Sequence, residues 1–167
     1  MAQFGRNDKG HGYRMAFTQG DVEGHAWFVD LMKKAGLETT IDQAGNIIGK
    51  RKGKKPTLKP IAFGSHIDMV PDGGNYDGTL GSIAALEVIE VLNENKVVTD
   101  HPLEVIIFAD EEGSMIGSKA LSGKITPEIL NQTSHSGLSF QRVLKCLEAT
   151  LILFKTPAAR EATSTLF

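Results

Sequence analysis

Two short apolar runs with a helical segment between them constrain the fold of this chain more than any other feature. The runs are residues 60–64 (PIAFG) and 103–109 (LEVIIFA), and both have the character of buried β-strands. Between them, residues 80–95 are apolar over most of a helical surface, with a narrow stripe of glutamates. A strand, a helix and a second strand in this order predict an α/β fold whose helix packs across a largely parallel sheet.

The segment before the first run predicts a helix and a hairpin. Thr18 and Asp21 resemble a capping box, and apolar residues at helical spacing follow, so we expect a helix over about 19–35. Residues 37–50 place β-branched residues on both sides of the turn-forming run 42–46 (DQAGN), which is typical of a hairpin. Residues 139–148 have weaker helical spacing, and 149–167 show no clear element.

Composition excludes several classes of protein. The 18 Lys and Arg residues nearly balance the 20 Asp and Glu residues, so neither nucleic acid nor an anionic membrane is an expected partner. The start lacks the apolar core of a signal peptide, and no stretch is long and apolar enough to cross a bilayer, which favours a cytoplasmic protein. Cys146 is the only cysteine, so an internal disulfide and a thiolate metal cluster are both excluded.

Three polar clusters lie where the predicted strands and helix meet loops. They are residues 64–68 (GSHID), 73–78 (GGNYDG) and 109–113 (ADEEG). Ligand crevices of open α/β sheets lie outside the carboxyl ends of strands, so we expect the three clusters to face one site. Histidine and carboxylates without thiolates suit zinc, manganese or a similar divalent ion, and a carboxylate such as Asp77 can bridge two ions.

The spacing within the clusters suggests a division of roles. Glu111 and Glu112 are adjacent at the end of an extended segment, so their side chains should point in different directions. One can bind metal while the other, which we take to be Glu111, accepts the proton of an attacking water. Asp68, two residues after His66, can accept a hydrogen bond from the ring nitrogen that faces away from a metal, and so orient the ring.

The combined motif resembles a known family. GSHIDMVPDGGNYDGTLG together with HPLEVIIFADEEGS is similar to the N-carbamoyl-L-amino-acid hydrolase and allantoate amidohydrolase group of the M20 metallopeptidase superfamily. Gly12-Tyr13-Arg14 and the run 42–46 are supporting matches, so the resemblance extends from about residue 10 to about residue 148. It implies a three-layer α/β/α zinc-peptidase-like catalytic domain with two divalent ions, zinc first and manganese, cobalt or nickel as alternatives.

The resemblance also implies a role for each site residue. His66 binds one metal, Asp77 bridges both, Glu112 binds the other, and Glu111 is the general base. The compact spacing between His66 and Asp77 favours a ureido or carbamoyl substrate over a peptide.

Some features of the family do not occur in this sequence. We expect residues 1–148 to form the N-terminal part of the catalytic domain and residues 149–167 to be an atypical tail. A lid domain that makes the family's homodimer interface, and two further histidine motifs that bind metal, are missing. The other histidines (His11, His25, His101 and His135) lie in predicted loops or helix flanks, where a surface role is the simpler expectation.

Three alternatives remain open from the sequence. The chain could belong to an aminoacylase or peptidase of the same superfamily, or be a non-catalytic remnant that binds at most one metal weakly. The four candidate site residues could also be ordinary polar residues at strand ends. A phosphate cradle at residues 72–78 is disfavoured, because the loop lacks the Lys and the Ser or Thr of a P-loop and carries a carboxylate.

Overall fold

A computed structural model describes residues 1–145. In chain order its elements are α1 (Gln19–Lys34), β1 (Glu38–Ile41), β2 (Ile47–Arg51), β3 (Ile61–His66), α2 (Thr79–Glu94), β4 (Leu103–Phe108), α3 (Ile116–Leu121) and α4 (Pro127–Asn131). Residues 140–145 are also helical. The end of the helix predicted over 139–148, Cys146 and the tail 149–167 lie outside the described residues.

The strands form one sheet in the order β1-β2-β4-β3. β3 and β4 are parallel and are joined through α2, as the crossover prediction requires, with Ile61 opposite Leu103. The prediction of a largely parallel sheet is wrong for residues 1–145, because β2 is antiparallel to both β1 and β4. The tight turn at residues 42–46 makes β2 antiparallel to β1, whereas the pairing of β2 with β4 joins residues far apart in sequence and its direction does not follow from a local pattern.

One face of the sheet carries the main apolar core. Leu103, Val105 and Ile107 alternate along β4 with less buried residues, and they pack with both α1 and α2. Both helices therefore cover the same face of the sheet in the described part of the chain. α2 also has exposed apolar residues on its outer side, at Leu80, Ile83, Val88 and Val91.

The start of α1 differs from the predicted capping box. Thr18 is the N-cap residue, but its side chain caps no backbone N–H and instead donates a hydrogen bond to the carbonyl of Met15 at 2.6 Å. Asp21 is buried and accepts a hydrogen bond from the backbone N–H of Phe17 at 2.9 Å. The aspartate side chain thus binds the chain just before the helix. None of the helices in residues 1–145 is long and apolar enough to cross a membrane.

Candidate metal centre

His66 ends β3 and lies at the base of the candidate site. Its side chain is almost fully buried, and its carbonyl accepts a hydrogen bond from the Ser82 hydroxyl of α2 at 2.8 Å. Gly78, the N-cap of α2, has a φ of 59°, and a Cβ at this position would overlap the His66 ring. A glycine is therefore needed both for the backbone conformation and for the close approach of the imidazole.

Asp68, in the loop after β3, connects the last residue of that strand to the loop after β4. Its Oδ1 lies 3.2 Å from Nδ1 of His66, and its Oδ2 accepts a hydrogen bond from the backbone N–H of Glu112 at 3.0 Å. Burial favours a raised pKa for Asp68, but the contacts with His66 and the Glu112 N–H lower it more, so the pKa lies below its usual value. Burial lowers the pKa of His66, while Asp68 and the glutamates raise it more, so this pKa is raised.

The other ring nitrogen of His66 faces two carboxylates. Nε2 lies 3.4 Å from Oε2 of Glu111 and 3.9 Å from Oδ1 of Asp77. Glu111 is 45% exposed and Asp77 is 73% exposed, so both remain accessible from solvent. The structure therefore brings two of the predicted site residues, Glu111 and Asp77, close to one imidazole nitrogen of His66.

Glu111 and Glu112 lie in a tight turn after β4. β4 ends at Phe108, and Asp110 has a φ of 54°, so side-chain alternation along a strand does not determine where the two glutamates point. Our argument from an extended segment is wrong at this position. Burial raises the pKa of Glu112, and the nearby Asp77 carboxylate raises it further.

Asp110 organises this turn from inside. It is 1% exposed, its Oδ2 accepts hydrogen bonds from the backbone N–H and the hydroxyl of Ser114, and its carbonyl accepts one from Met115 N–H at 2.7 Å. Burial raises the pKa of the Asp110 carboxyl. A Cβ at Gly113 would overlap Oδ1 of Asp110, so the turn closes tightly around the carboxylate.

Arg14 supports the loop after β3. It is 1% exposed, its Nε donates to the carbonyl of Ile67 at 2.6 Å, and its Nη1 donates to the carbonyl of Phe4 at 2.9 Å. Arg14 lies in the supporting match Gly12-Tyr13-Arg14, but the sequence alone indicates no role for it. One pattern in the sequence could have indicated that Arg14 is buried: it is an arginine next to apolar residues just before a helix.

The remaining histidines have other partners. His25 lies beside Asp21, with 3.1 Å between Nδ1 and Oδ1, and His101 Nδ1 lies 2.8 Å from the carbonyl of Lys59. His11 makes an exposed pair with Asp72, and His135 Nε2 lies 4.0 Å from Oδ1 of Asp110. Within residues 1–145, no three or more His, Cys, Asp or Glu side chains are grouped so as to hold a metal ion.

Comparison with known families gives a match to the model of peptidase family M28 over residues 46–139, which is more than half of the chain. The chain belongs to peptidase family M28. This matched region begins at Asn46 and includes every residue that we assigned to the site.

Individual proteins and solved structures also match this chain. It is 38% identical over 150 residues to an N-carbamoyl-L-amino acid amidohydrolase of Geobacillus stearothermophilus, covering 87% of this chain and 37% of that protein. It is 38% identical over 155 residues to a probable allantoate deiminase of Oryza sativa subsp. japonica, covering 87% and 31% respectively. The crystal structure of a hydantoinase/carbamoylase family amidase from Burkholderia ambifaria superposes with a TM-score of 0.79 at 32% identity, covering 87% of this chain and 37% of that one.

These matches confirm the resemblance to the carbamoyl hydrolase and allantoate amidohydrolase group, and they confirm the α/β fold class. The superfamily label that we attached to this group was M20, whereas the matching model is that of M28. The chain spans 37% of the length of the Geobacillus and Burkholderia relatives and 31% of the length of the Oryza one.

Proposed function

We propose that this chain carries the front part of a two-metal amidohydrolase site that hydrolyses a ureido C–N bond. The observation that carries the proposal is the arrangement around His66. One ring nitrogen contacts a buried aspartate, and the other faces two accessible carboxylates at 3.4 and 3.9 Å. A buried carboxylate behind a histidine is the usual partner of a metal-binding imidazole.

The residues present fit a divalent metal ion by their chemistry. The donor set consists of an imidazole and carboxylates, which suits zinc and also manganese, cobalt or nickel. The carboxylates of Asp77, Glu111 and Glu112 lie close enough for Asp77 and Glu111 to raise the pKa of Glu112, and a cation would relieve this repulsion. The set is incomplete for two ions, so further ligands would have to come from sequence beyond the described residues.

Each residue has a specific part in the proposed reaction. His66 and Glu112 would hold one ion each, and Asp77 would lie between the two. Bound divalent ions would supply Lewis-acid activation for the attack of water on the substrate carbonyl. Glu111 takes the proton of the water and later delivers it to the leaving nitrogen, and Asp68 keeps the His66 ring in the orientation for binding.

The substrate class is inferred from the relatives. Two of them are an N-carbamoyl-L-amino acid amidohydrolase and a probable allantoate deiminase, and the substrates in both names contain a ureido group. We therefore propose an N-carbamoyl amino acid or allantoate as the substrate. The homodimer and the cytoplasmic location stay predictions from the resemblance.

Metal content and ammonia release test the proposal. The purified chain and a His66→Ala variant should be compared for bound zinc and manganese, and then for ammonia release from N-carbamoyl amino acids and allantoate. We expect metal binding by this chain to depend on His66. We expect ammonia release from a longer relative that carries the same residues together with the remaining metal ligands. Equal metal content in both chains would contradict the assignment of His66.

Two observations favour other functions. The match to a peptidase family favours an aminoacylase or peptidase, which would release an amino acid from an N-acyl or peptide substrate and no ammonia from a ureido one. The absence of a closed metal-ligand group in residues 1–145 favours a non-catalytic chain that binds one ion weakly. The same metal and ammonia measurements distinguish these two functions from the proposed one.

A further inference from the structure

Asn46 connects both ends of the turn that carries Glu111 and Glu112. Its side chain is fully buried at the start of β2. Its Oδ1 accepts a hydrogen bond from Ala109 N–H at 3.0 Å, and its Nδ2 donates one to the carbonyl of Gly117 at 3.1 Å. One side chain therefore binds the residue before the turn and the first turn of the helix that follows it.

The Asn46 amide is itself held in place by Asp42. Oδ2 of Asp42 accepts a hydrogen bond from Nδ2 of Asn46 at 2.7 Å, and Oδ1 accepts one from the Asn46 backbone N–H at 2.9 Å. Both N–H groups of the side-chain amide and its oxygen are thus satisfied. An amide is the side chain that offers two donors and an acceptor at one end, so neither a carboxylate nor an apolar group of the same size replaces it.

The packing around Asn46 is tight. A Cβ on Gly117 would overlap Oδ1 of Asn46 and would contact the backbone of Ala109. Gly117 N–H also donates to the Ala109 carbonyl at 3.1 Å, so the two ends of the turn are joined directly as well as through the amide. Residue 117 must therefore be glycine for Asn46 and Ala109 to approach it this closely.

We propose that Asn46 is a positioning residue for the site, acting through the turn of residues 109–117. By fixing both ends of the turn it holds the Glu112 N–H against Asp68, which in turn contacts His66. This inference rests on the proposed function, because it concerns the placement of the proposed base and metal ligand. It gives a role to the run 42–46, which the sequence analysis singled out without assigning it a chemical task.

The test compares Asn46→Ala and Asn46→Asp with Asn93→Ala in the 167-residue chain. Asn93 is a control on another part of the fold, at an exposed position. Its side chain also makes a donor and an acceptor hydrogen bond, to the Ala35 carbonyl at 2.8 Å and from Arg51 Nε at 3.0 Å. Asn46→Asp preserves the side-chain size and loses the donors. Thermal unfolding of each variant identifies the temperature range in which all the chains are folded.

Two readouts are measured in that range. The first is hydrogen exchange of the Glu112 amide in the metal-free chain, which we expect to become about tenfold faster in both Asn46 variants and to be unchanged in Asn93→Ala. The second is the affinity for Zn²⁺ by calorimetric titration, which we expect to fall about tenfold in the Asn46 variants alone. A purely structural role of Asn46 would lower the thermal stability of its two variants without selectively changing Glu112 exchange or Zn²⁺ affinity.

The outcomes separate this inference from the proposed function. Faster Glu112 exchange in a chain whose parent binds no Zn²⁺ would support the positioning role and reject metal binding by this chain. Unchanged Glu112 exchange and unchanged Zn²⁺ affinity in folded Asn46 variants would overturn the positioning role, whatever the parent chain binds.

Discussion

The loops after β3 and β4 both contribute to the site, but they are supported in different ways. The β3 loop, residues 67–78, is held from the N-terminal segment: Arg14 donates to the Ile67 carbonyl, and Met69 N–H donates to the Arg14 carbonyl at 2.9 Å. The β4 loop, residues 109–115, is held from inside by Asp110 and from β2 by Asn46. The first support is a buried charge, and the second is mainly a set of hydrogen bonds to an amide and a carboxylate.

This difference indicates which part of the site is formed in advance. The turn with Glu111 and Glu112 is bound at both ends, whereas Asp77 is 73% exposed at the far end of a glycine-rich loop. Groups held by several buried hydrogen bonds keep their geometry without a ligand, and an exposed carboxylate is free to adjust. We therefore expect the Glu111 and Glu112 side to be preorganised and Asp77 to settle when a cation binds.

Replacing Arg14 should have the largest effect on stability. Arg14→Met leaves the carbonyls of Ile67 and Phe4 without their donors and removes the cation near Asp21, so we expect a loss of about 3–5 kcal/mol in the free energy of unfolding. Chemical denaturation measures it. The control is Arg51→Met, which loses hydrogen bonds to Asn93 and Val97 at a more exposed position and should cost about 1 kcal/mol. Equal losses would show that charge burial does not support the β3 loop.

Substitution of Gly78 should disturb the β3 loop more locally. In Gly78→Ala the methyl group would overlap the His66 ring at a φ of 59°, so we expect about 2–4 kcal/mol of destabilisation from backbone strain and overpacking. Zn²⁺ affinity should fall about 100-fold as the imidazole is displaced. The control in the same loop is Gly74→Ala, because no heavy atom lies within 4 Å of the added Cβ. Denaturation and Zn²⁺ titration of both variants check this, and similar affinities would contradict it.

Much of this architecture could be predicted from the sequence. The crossover β3-α2-β4 and the hairpin β1-β2 follow from local apolar patterns and turn residues, and they are present. The direction of β2 relative to β4 could not be predicted, because strand pairing depends on contacts between residues far apart in sequence. His66 and Asp68 could be related by spacing alone, since both lie at one strand end.

The residues that support the two loops could not be predicted from local sequence patterns. Arg14 and Asn46 act on residues more than 50 positions away in sequence, on Ile67 and Ala109 respectively. Asp110 precedes two candidate site residues, and in the sequence it is indistinguishable from a solvated acid. Burial gives these residues their function, and burial is a property of the tertiary structure.

Removal of the Asp110 carboxylate should loosen the β4 loop. Asp110→Ala leaves the N–H and hydroxyl of Ser114 without their acceptor, so we expect a loss of about 1–3 kcal/mol in the free energy of unfolding. Ser114→Ala is the matched control, because it removes only the hydroxyl and should cost about 1 kcal/mol or less. Denaturation of both chains measures the difference. A larger loss in Ser114→Ala would place the organising group of the turn at residue 114.

The smallest effect should be a dependence of stability on pH above 6.5 that comes from His25, on the β3 side. Burial lowers the pKa of His25, but the adjacent Asp21 raises it more, so the pKa of His25 in the folded chain lies above 6.5. A raised pKa means that the folded chain binds the proton more tightly than the unfolded chain. The stabilisation is therefore complete below pH 6.5 and is lost as the pH rises through the folded pKa.

A His25→Gln variant isolates this contribution from that of His66, whose pKa is also raised. We expect the parent chain to exceed the variant in unfolding free energy by an amount that shrinks by on the order of 1 kcal/mol as pH rises above 6.5. Chemical denaturation at several pH values measures this difference. Because Asp21 also interacts with Arg14, the charge cluster beneath the β3 loop should respond to pH in this range. The Asn46 amide beneath the β4 loop does not titrate. A difference between the two chains that is constant with pH would mean that the His25–Asp21 pair is not formed as a charged pair, and that the two loops differ less in their supports than their contacts indicate.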